Sequence, residues 1–287
     1  MAKLLVQVST TDADFSIYRK TIIASLKNIL DKAEAEVMVL VVYQSEGAGR
    51  PEDSLFSDSR VDLQLTSNFN VSAARNAGLS FARSKDIDYV VFQDTSISVS
   101  DGFIQLINIV VAQKIGIAKG NVQWGSSFSH NPEEELVLSE KCVSPIFDAY
   151  VWSYIFSLEA LDGLTFNEQL GPGRYTAVKA GEDVIFLYLL FGRKFSFSVT
   201  YSVAAKVYHP ARPSDNSKHL EYAEAQGILV RRLLSENCLN LNLLSYCLAF
   251  FGNAVFRAII GKPNSSAILH RRIQGFIDVK GKRKLIP

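Results

Sequence analysis

Hydrophobic residues along the first half of the chain follow two alternating patterns. Short apolar runs predict strands, and apolar residues three or four positions apart predict helices between them. The clearest strand is Val37–Tyr43, an unbroken run of the kind found in strands covered on both faces. The other predicted strands are Lys3–Ser9, Val61–Leu65, Tyr89–Phe92 and Ile115–Val122. The predicted helices are Phe15–Ile29, Ala73–Arg83 with Ser72 as its N-cap, and Gly102–Gln113 with Asp101 as its cap.

This alternation indicates an α/β fold with a largely parallel, doubly wound sheet. The second half of the chain is less regular. Val184–Phe191 is apolar on all sides and is followed by Gly192, which predicts a buried helix. The other features expected here are a strand at Val151–Phe156, a turn at Gly171–Gly173, a strand-like stretch at Lys194–Val207, a polar break at His209–Lys218 and a helical remainder.

The composition is that of a globular protein, since 48% of the 287 residues are hydrophobic and 21% are charged. That size allows one large domain, or one domain with a smaller appendix. No segment has the ~20 apolar residues that a membrane-spanning helix needs, and the apolar N-terminal run is too short for a signal peptide. Cys142, Cys238 and Cys247 lack the spacing of a disulfide framework or a zinc site, and they fit a reducing cytoplasm.

Charge is distributed unevenly, although the net charge is only +1. From Arg257 onward the only acidic residue is Asp278. A basic tail on a near-neutral body suggests an anionic surface as the partner. A nucleic acid is not expected, because the basic residues cluster in the tail without interleaved aromatic residues. The basic residues of the tail are Arg257, Lys262, Arg271, Arg272, Lys280, Lys282, Arg283 and Lys284.

Residues 241–259 predict an amphipathic helix ahead of these cations. Such a unit can lie in the interface of a membrane, held by apolar burial and by anionic lipid. Packing against the rest of the protein or against a second subunit is the alternative. The apolar face consists of Leu241, Leu244, Leu248, Phe251, Val255 and Ile259, and the other face of Asn242, Tyr246, Ala249, Asn253 and Arg257.

Ligands of an open α/β sheet bind beyond the carboxyl ends of its strands. This rule points to the loops Ser9–Asp12, Tyr43–Glu46 and Asp94–Ser98. Asp94 ends a buried strand and precedes two small polar residues, so its carboxylate could bind a ribose hydroxyl or a metal that carries a diphosphate. An aspartate that merely starts a turn is the alternative.

Glu182 and Asp183 begin the predicted buried helix. The helix dipole alone favours acids there, but a carboxylate held rigidly at that point could also remove a proton from a hydroxyl group. His209 follows the last strand and is either a ligand or a structural residue.

Four further residues have two interpretations each. Trp124 and Trp152 could stack on a sugar ring or fill the core. Arg75 and Asn76 lie on a predicted helix, where exposed ion pairs are the ordinary explanation.

The order of these segments resembles that of the family 2 inverting glycosyltransferases, and more narrowly the bacterial members that build capsule, exopolysaccharide or O-antigen chains. The similarity covers about residues 3–210. It is carried by a first strand ending in Ser/Thr, by Ala74–Leu79 (ARNAGL), by an apolar strand ending at Asp94, by Phe166–Asp183 (ending in GED), and by a strand followed by His-Pro.

The resemblance implies a GT-A fold, which is Rossmann-like with a mostly parallel sheet, and the tail residues predict a C-terminal helical, basic extension after it. The implied catalytic domain is 1–210, with a donor half of about 1–122 and an acceptor half of about 123–210. The amphipathic and basic segment is then 211–287.

The resemblance also implies roles for individual residues. Asp183 matches the usual catalytic base and Glu182 its neighbour on the acceptor side. The predicted donor-binding residues are Ser9, Thr10, Gln44, Arg75 and Asp94, the predicted metal ligands are Asp94 and His209, and the predicted acceptor-binding residues are Trp124, Trp152 and Arg174.

Two positions depart from the family pattern. The acidic motif, usually D-D-D or D-x-D, reads Asp94-Thr95-Ser96 here, which weakens a site for Mn²⁺ or Mg²⁺ because hard cations favour charged oxygen ligands. The aspartate that usually follows the second strand is replaced by Gln44, which can still hydrogen-bond a base edge.

The expected function is therefore transfer of a hexose, with inversion, from a nucleotide sugar to a hydroxyl of a glycan acceptor. UDP is the expected nucleotide, with thymidine diphosphate as the alternative. A lipid-linked acceptor and a peripheral position on the cytoplasmic face of the cell membrane are expected. A non-catalytic scaffold of the same fold is the main alternative; a nucleotidyltransferase is disfavoured because the first loop, STTDADF, has neither Gly nor Lys.

Overall fold

The computed structural model describes residues 1–47, 51–125, 135–211, 217–236 and 240–277. Cys238, Asp278 and the basic residues at 280–284 lie outside these ranges. The described residues form one nine-stranded sheet. Its strands are β1 (Lys3–Thr11), β2 (Glu36–Gln44), β3 (Val61–Thr66), β4 (Tyr89–Asp94), β5 (Ser98–Val99), β6 (Ile117–Trp124), β7 (Ser139–Val143), β8 (Tyr154–Ser157) and β9 (Phe197–His209).

The helices of the described residues flank this sheet and continue beyond it toward the C-terminus. They are α1 (Asp12–Lys32), α2 (Val71–Ser84), α3 (Asp101–Ala112), α4 (Leu158–Leu161), α5 (Glu182–Leu190), α6 (Ser217–Glu236), α7 (Leu241–Ile259) and α8 (Ser265–Ile277).

The strand order is β3-β2-β1-β4-β8-β6-β9-β5, and β7 pairs with β9. The first four strands in this order are parallel, so their carboxyl ends meet at one edge. The register sets Ser9 beside Asp94 and Thr11 beside Gln44. The sheet thus brings together residues from three strands, and the outermost two of these residues, Ser9 and Asp94, are 85 positions apart in the sequence.

Two predicted helix caps are wrong by one or two residues. Asn70, rather than Ser72, caps α2, because its side-chain oxygen accepts a hydrogen bond from the Ala73 amide at 3.0 Å. Ser100, rather than Asp101, caps α3 in the same way. Both predictions chose a good capping residue that already lies inside the first turn.

The second half contains short elements that the pattern does not show. Val151–Ser153 is a 3-10 helix, so the predicted strand at Val151–Phe156 is limited to β8. β8 runs antiparallel to both of its neighbours, β4 and β6, and so connects the strands of the first half to β6 and β9 in one sheet. Two strands were not predicted. One is β7, which is largely exposed, and the other is β5 in the first half, which has only two residues.

The helices α6, α7 and α8 are the predicted C-terminal helical extension. A shared apolar cluster joins them to the rest of the protein, with Leu170, Ile185 and Tyr188 on one side and Ile228 and Leu229 among those on the other. No helix formed by the described residues is both long enough and apolar enough to span a membrane.

Glycines set the distance between α6 and α8. A Cβ added at Gly227 would lie 2.1 Å from the carbonyl oxygen of Arg272, and one added at Gly275 would lie 2.0 Å from that of Glu224. Backbone atoms cannot move aside as a flexible side chain can, so the two helices cross at a distance that only glycine permits.

Candidate active site

A cavity of about 850 Å³ opens at the carboxyl ends of β1, β2 and β4. This is where parallel strands place ligand sites in open α/β sheets. Of the eleven residues predicted to form the site, all except Asp183 line it: Ser9, Thr10, Gln44, Arg75, Asp94, Trp124, Trp152, Arg174, Glu182 and His209.

Arg75 is the centre of the site. Its guanidinium donates from Nη1 to Oδ1 of Asp183 at 2.5 Å and from Nη2 to Oδ1 of Asp94 at 3.2 Å. Glu182 Oε1 lies 3.9 Å from Nη1, and the guanidinium carbon stands 5.2 Å from the ring centroid of Phe166. Only 2% of Arg75 is exposed, so the interpretation of Arg75 as a partner in an exposed ion pair is wrong.

Asn76, next to Arg75, has a different partner. Its amide nitrogen donates to the carbonyl oxygen of Phe166 and to Oε1 of Glu168, both at 2.9 Å, and its amide oxygen accepts from the Phe166 amide at 2.7 Å. Asn76 therefore fastens α2 to the segment that leads to the Glu182–Asp183 pair. This contact gives a physical reason for the two motifs to occur together.

One buried cation faces three carboxylates. Burial by itself would lower the pKa of Arg75, but the charges of Asp183, Asp94 and Glu182 outweigh it and raise the pKa above its ordinary value. Burial, and then the charge of Asp183, raises the pKa of Glu182 to about 8. Burial raises the pKa of Asp183 as well, against the opposing effect of Arg75. The cluster therefore has an excess of negative charge and favours an added cation or a proton.

The two acids at the start of α5 lie in different surroundings. The oxygens of Asp183 accept from Arg75 and from the Val151 amide, the second at 3.3 Å, and Asp183 does not line the cavity. Glu182 does line it. The residue before them, Gly181, has a φ of 97° and makes no side-chain cap bond, so α5 begins without a capping side chain.

Aromatic residues form the wall near β6 and β9. The ring centroid of Trp124 lies 4.5 Å from that of His209 and 6.3 Å from that of Trp152. The ring centroids of Tyr150 and Trp152 are 5.3 Å apart. Trp124 is 39% exposed, whereas Trp152 is 5% exposed. Trp124 therefore offers a ring face to a ligand, while Trp152 mainly supports it.

The segments around residues 69 and 174 also line the cavity. Gln44 accepts a hydrogen bond from the Asn70 amide at 2.7 Å. The guanidinium of Arg174 lies 4.8 Å from the ring centroid of Phe69 and forms an ion pair with Glu46. The contacts of Arg174 are thus with Phe69 and Glu46, and Gln44 binds the residue that follows Phe69.

Few side chains of the cavity could bind a divalent cation. Among the described residues, no three His, Cys, Asp or Glu side chains converge on one point that could hold a metal. Asp94 and His209 both border the cavity, and Nδ1 of His209 pairs with the carbonyl oxygen of Pro210 at 2.8 Å. Mg²⁺ is commonly bound by one or two carboxylates together with substrate phosphates. Asp94 fits that kind of site.

Several lining residues were not predicted. Phe69 and Tyr150 come from irregular segments without a periodic signal, and His219, Tyr222 and Gln226 come from α6. The spacing of the last three puts them on one helical face, but the sequence does not show what that face meets.

Comparison with solved structures finds the same fold in TarS of S. aureus. A crystal structure of TarS 1–349 in complex with UDP-GlcNAc has a TM-score of 0.58 and 14% sequence identity, over 100% of this chain and 82% of that one. A structure of TarS 1–349 in complex with UDP has a TM-score of 0.51 and 13% identity, over 98% of this chain and 91% of that one. A further TarS structure matches with a TM-score of 0.51 and 14% identity, and the chain covers 99% of its own length but 55% of that one.

At these identities the likeness shows the fold. It confirms the predicted fold class, a GT-A-type α/β fold followed by a C-terminal helical extension. No family model and no curated protein matches the sequence.

Proposed function

We propose that the protein is a glycosyltransferase that moves a sugar from a nucleoside diphosphate sugar to a hydroxyl of an acceptor glycan. The observation that carries this proposal is the buried Arg75, which joins Asp94 at the end of β4 to Glu182 and Asp183 at the start of α5. A diphosphate binding near Asp94 and a base acting from α5 would thus belong to one connected site.

UDP is the proposed nucleotide. TarS, which shares the fold, has been crystallised with UDP and with UDP-GlcNAc. The motif order resembles family 2 of the inverting enzymes, and this supports residues 1–210 as the catalytic unit. The uracil ring of the nucleotide would lie between Gln44, Phe69 and Thr10, at the end of the cavity next to β2.

Transfer with inversion is one displacement. The acceptor oxygen forms a bond to the anomeric carbon, the bond from that carbon to the diphosphate oxygen breaks, and the hydroxyl proton passes to a carboxylate. We assign that carboxylate to Asp183, with Glu182 beside it. In the ligand-free structure Asp183 is bonded to Arg75 and to the Val151 amide and does not line the cavity, so this role requires that one of its oxygens turns toward the acceptor when the substrates bind.

The leaving diphosphate needs positive charge near it. Arg75 supplies a fixed cation in the site. Asp94 would hold Mn²⁺ or Mg²⁺ together with the diphosphate, with His209, which also borders the cavity, as the second proposed ligand, and such a cation would neutralise the leaving group.

The first experiment is thermal unfolding with UDP, dTDP, GDP and CMP, each with Mn²⁺, Mg²⁺ or EDTA. A ligand at 100 times its Kd adds about 2.7 kcal/mol to the free energy of unfolding. For a chain of this size, each kcal/mol raises the Tm by roughly 2–4 °C. A shift with one nucleoside diphosphate supports the proposal, and its loss in EDTA shows that a metal takes part, with Asp94 as its proposed ligand. No shift with any nucleotide would favour the non-catalytic scaffold, the reading that Asp94-Thr95-Ser96 supports.

The assignment of Asp183 as the catalytic base is tested next. The readout is the release of UDP from a UDP sugar. Asp183→Asn should still bind UDP but should release it roughly 10²–10⁴-fold more slowly. Glu182→Gln is the matched variant. If Glu182→Gln alone abolished release, the base would be Glu182.

The acceptor side is proposed on chemistry alone. Trp124 presents a ring to the cavity and is suited to stack on an acceptor sugar. Addition to a lipid-linked glycan of a bacterial surface polysaccharide fits both this site and the resemblance.

A membrane surface is the proposed partner of α7. The exposed face of this helix is apolar, with Leu241 79% exposed, Leu248 68% and Ile259 77%, while Leu243 and Ala254 are turned inward. Exposed cations follow this helix along the chain, namely Lys262 and Arg271, so an anionic lipid surface suits this part of the protein. The sequence continues with Lys280, Lys282, Arg283 and Lys284, which lie outside the described residues.

A further inference from the structure

The helix α6 forms one wall of the candidate active site. His219, Tyr222 and Gln226 all line the cavity, and all three are partly buried. Positions three and four apart lie on the same side of a helix. One face of the C-terminal extension therefore belongs to the site, in addition to the apolar face that α7 exposes.

The position of Tyr222 identifies the part of the cavity that α6 covers. Burial raises the pKa of the Tyr222 hydroxyl to about 12, and the charges of Glu221, Glu182, Asp94 and Asp14 add to this effect. Glu182 and Asp94 are two of the carboxylates around Arg75. Asp14 lies in the first turn of α1, directly after β1. Tyr222 also lines the same cavity as Asp94, the proposed diphosphate end, and Glu182, at the start of α5. A donor sugar would lie between these two carboxylates and therefore within the part of the cavity that α6 borders.

Gln226 is held in place from outside the cavity. Its Oε1 accepts from Arg272 of α8, from Nε at 3.2 Å and from Nη2 at 3.0 Å. Arg272 is itself fixed on α7, where its guanidinium carbon lies 3.7 Å from the ring centroid of Phe250 and Nη1 donates to the Phe250 carbonyl oxygen at 3.1 Å. Because Oε1 is engaged, the group that Gln226 can offer a ligand is its amide N–H donor.

We propose that the α6 face formed by His219, Tyr222 and Gln226 binds hydroxyl groups of the sugar that the donor carries, and that Arg272 positions Gln226 for this contact. The proposal rests on the proposed function. Tyr222 and Gln226 bring a neutral hydroxyl and a neutral amide, and His219 an imidazole, to a site that already has excess negative charge. Such groups suit uncharged hydroxyls, and they recognise a sugar through hydrogen bonds without adding a further full negative charge.

The test measures the Kd of UDP, UDP-GlcNAc and UDP-glucose by calorimetry. Tyr222→Phe removes only a hydroxyl, and Gln226→Met removes the amide donor without adding a charge to the site. Each is expected to bind the preferred UDP sugar about 3- to 10-fold more weakly, the range of one neutral hydrogen bond, and to bind UDP with a change below about twofold. Tyr89→Phe, at the amino end of β4 away from the cavity, is the matched control and should change neither.

Arg272 has its own readout. Arg272→Met should cause the same selective loss for the UDP sugar, and Arg272→Lys should restore only part of it, because one ammonium cannot replace the two-pronged contact with Oε1. A merely structural role would weaken UDP and UDP sugar binding equally.

The outcomes separate this inference from the proposed function. If the wild-type protein bound neither UDP nor a UDP sugar, the proposed function would fail and this inference with it. If the wild-type protein bound both and Tyr222→Phe and Gln226→Met bound them unchanged, only the α6 inference would fail. An equal loss for UDP and UDP sugar would also overturn it, because the contact would then be with the diphosphate.

Discussion

Arg75 and Asp183 are 108 positions apart in the sequence, yet Nη1 of one lies 2.5 Å from Oδ1 of the other in a buried ion pair. The first lies on α2 beside the parallel strands, and the second begins α5 in the less regular half. This contact makes the two halves one site, and it determines the consequences of altering either residue.

Replacing Arg75 is expected to cost both stability and ligand binding. Arg75→Met leaves three carboxylates facing each other, and breaking a buried ion pair by removing one partner typically costs about 3–5 kcal/mol. Arg75→Lys keeps the charge without the two-pronged geometry. Its stability and its affinity for UDP should lie between those of the wild-type protein and of Arg75→Met. Urea denaturation and UDP titration measure the two effects. Wild-type stability in Arg75→Met would show that the cluster is not held by this cation.

Stability should fall as the pH rises through the range in which Glu182 titrates. Its pKa is raised from 4.5 to about 8, so the folded protein binds more protons than the unfolded chain between these values. Stability from this group is complete at low pH and is lost as the pH rises toward about 8. Glu182→Gln should flatten the dependence. The free energy of unfolding at several pH values, for both proteins, checks this; equal slopes would contradict it.

Tryptophan fluorescence should report ligand binding. The chain has two tryptophans, Trp124 and Trp152, and both line the cavity. Trp124 is the more exposed, so an acceptor or donor that reaches it should change its emission. Trp124→Phe should remove most of the change seen with a UDP sugar, and Trp152→Phe less. An unchanged signal in Trp124→Phe would place the ligand away from β6.

Membrane binding should depend on the exposed face of α7. The double variant Leu248→Gln, Ile259→Gln removes two exposed apolar side chains and should bind vesicles of anionic phosphatidylglycerol more weakly. Val203→Gln is the control, because Val203 is exposed on β9 instead. Co-sedimentation with anionic and with neutral vesicles separates the apolar from the charge contribution. Equal sedimentation of all three proteins would remove the membrane proposal.

The crossing of α6 and α8 should be intolerant of any side chain. Gly227→Ala would place a Cβ 2.1 Å from a backbone oxygen, and overpacking of this kind costs about 1–3 kcal/mol. Gly252→Ala, in the middle of α7, meets nothing within 4 Å and should instead stabilise the protein by about 0.5–1 kcal/mol. Thermal unfolding of both variants provides the comparison. A neutral Gly227→Ala would mean that α6 and α8 can separate at little cost.

The parallel half of the fold was predictable because each of its elements carries its own local signal. Val37–Tyr43 could only be a strand covered on both faces, and β2 was found within one residue at each end. The caps at Ser72 and Asp101 were wrong because several neighbouring residues can cap a helix, and the hydrogen bond that decides between them depends on the entering backbone.

The less regular half was harder to predict because its short elements are stabilised by partners distant in sequence. β7 is five residues long and mostly exposed, and it exists because it pairs with β9. The 3-10 turn at Val151–Ser153 interrupts a run that reads as a strand, and the turn brings the Val151 amide to Asp183. A local pattern contains no information about such partners.

The sequence by itself determined the fold class, the buried helix that Glu182 and Asp183 begin, and the types of residue that form the site, because each leaves a periodic or motif signal along the chain. Only the tertiary structure decided that Arg75 is buried among three carboxylates, that Arg174 contacts Phe69 and Glu46, and that α6 lines the cavity. These relationships depend on strand order and on helix packing across more than a hundred residues, and the free energy that fixes them comes from contacts that no single segment contains.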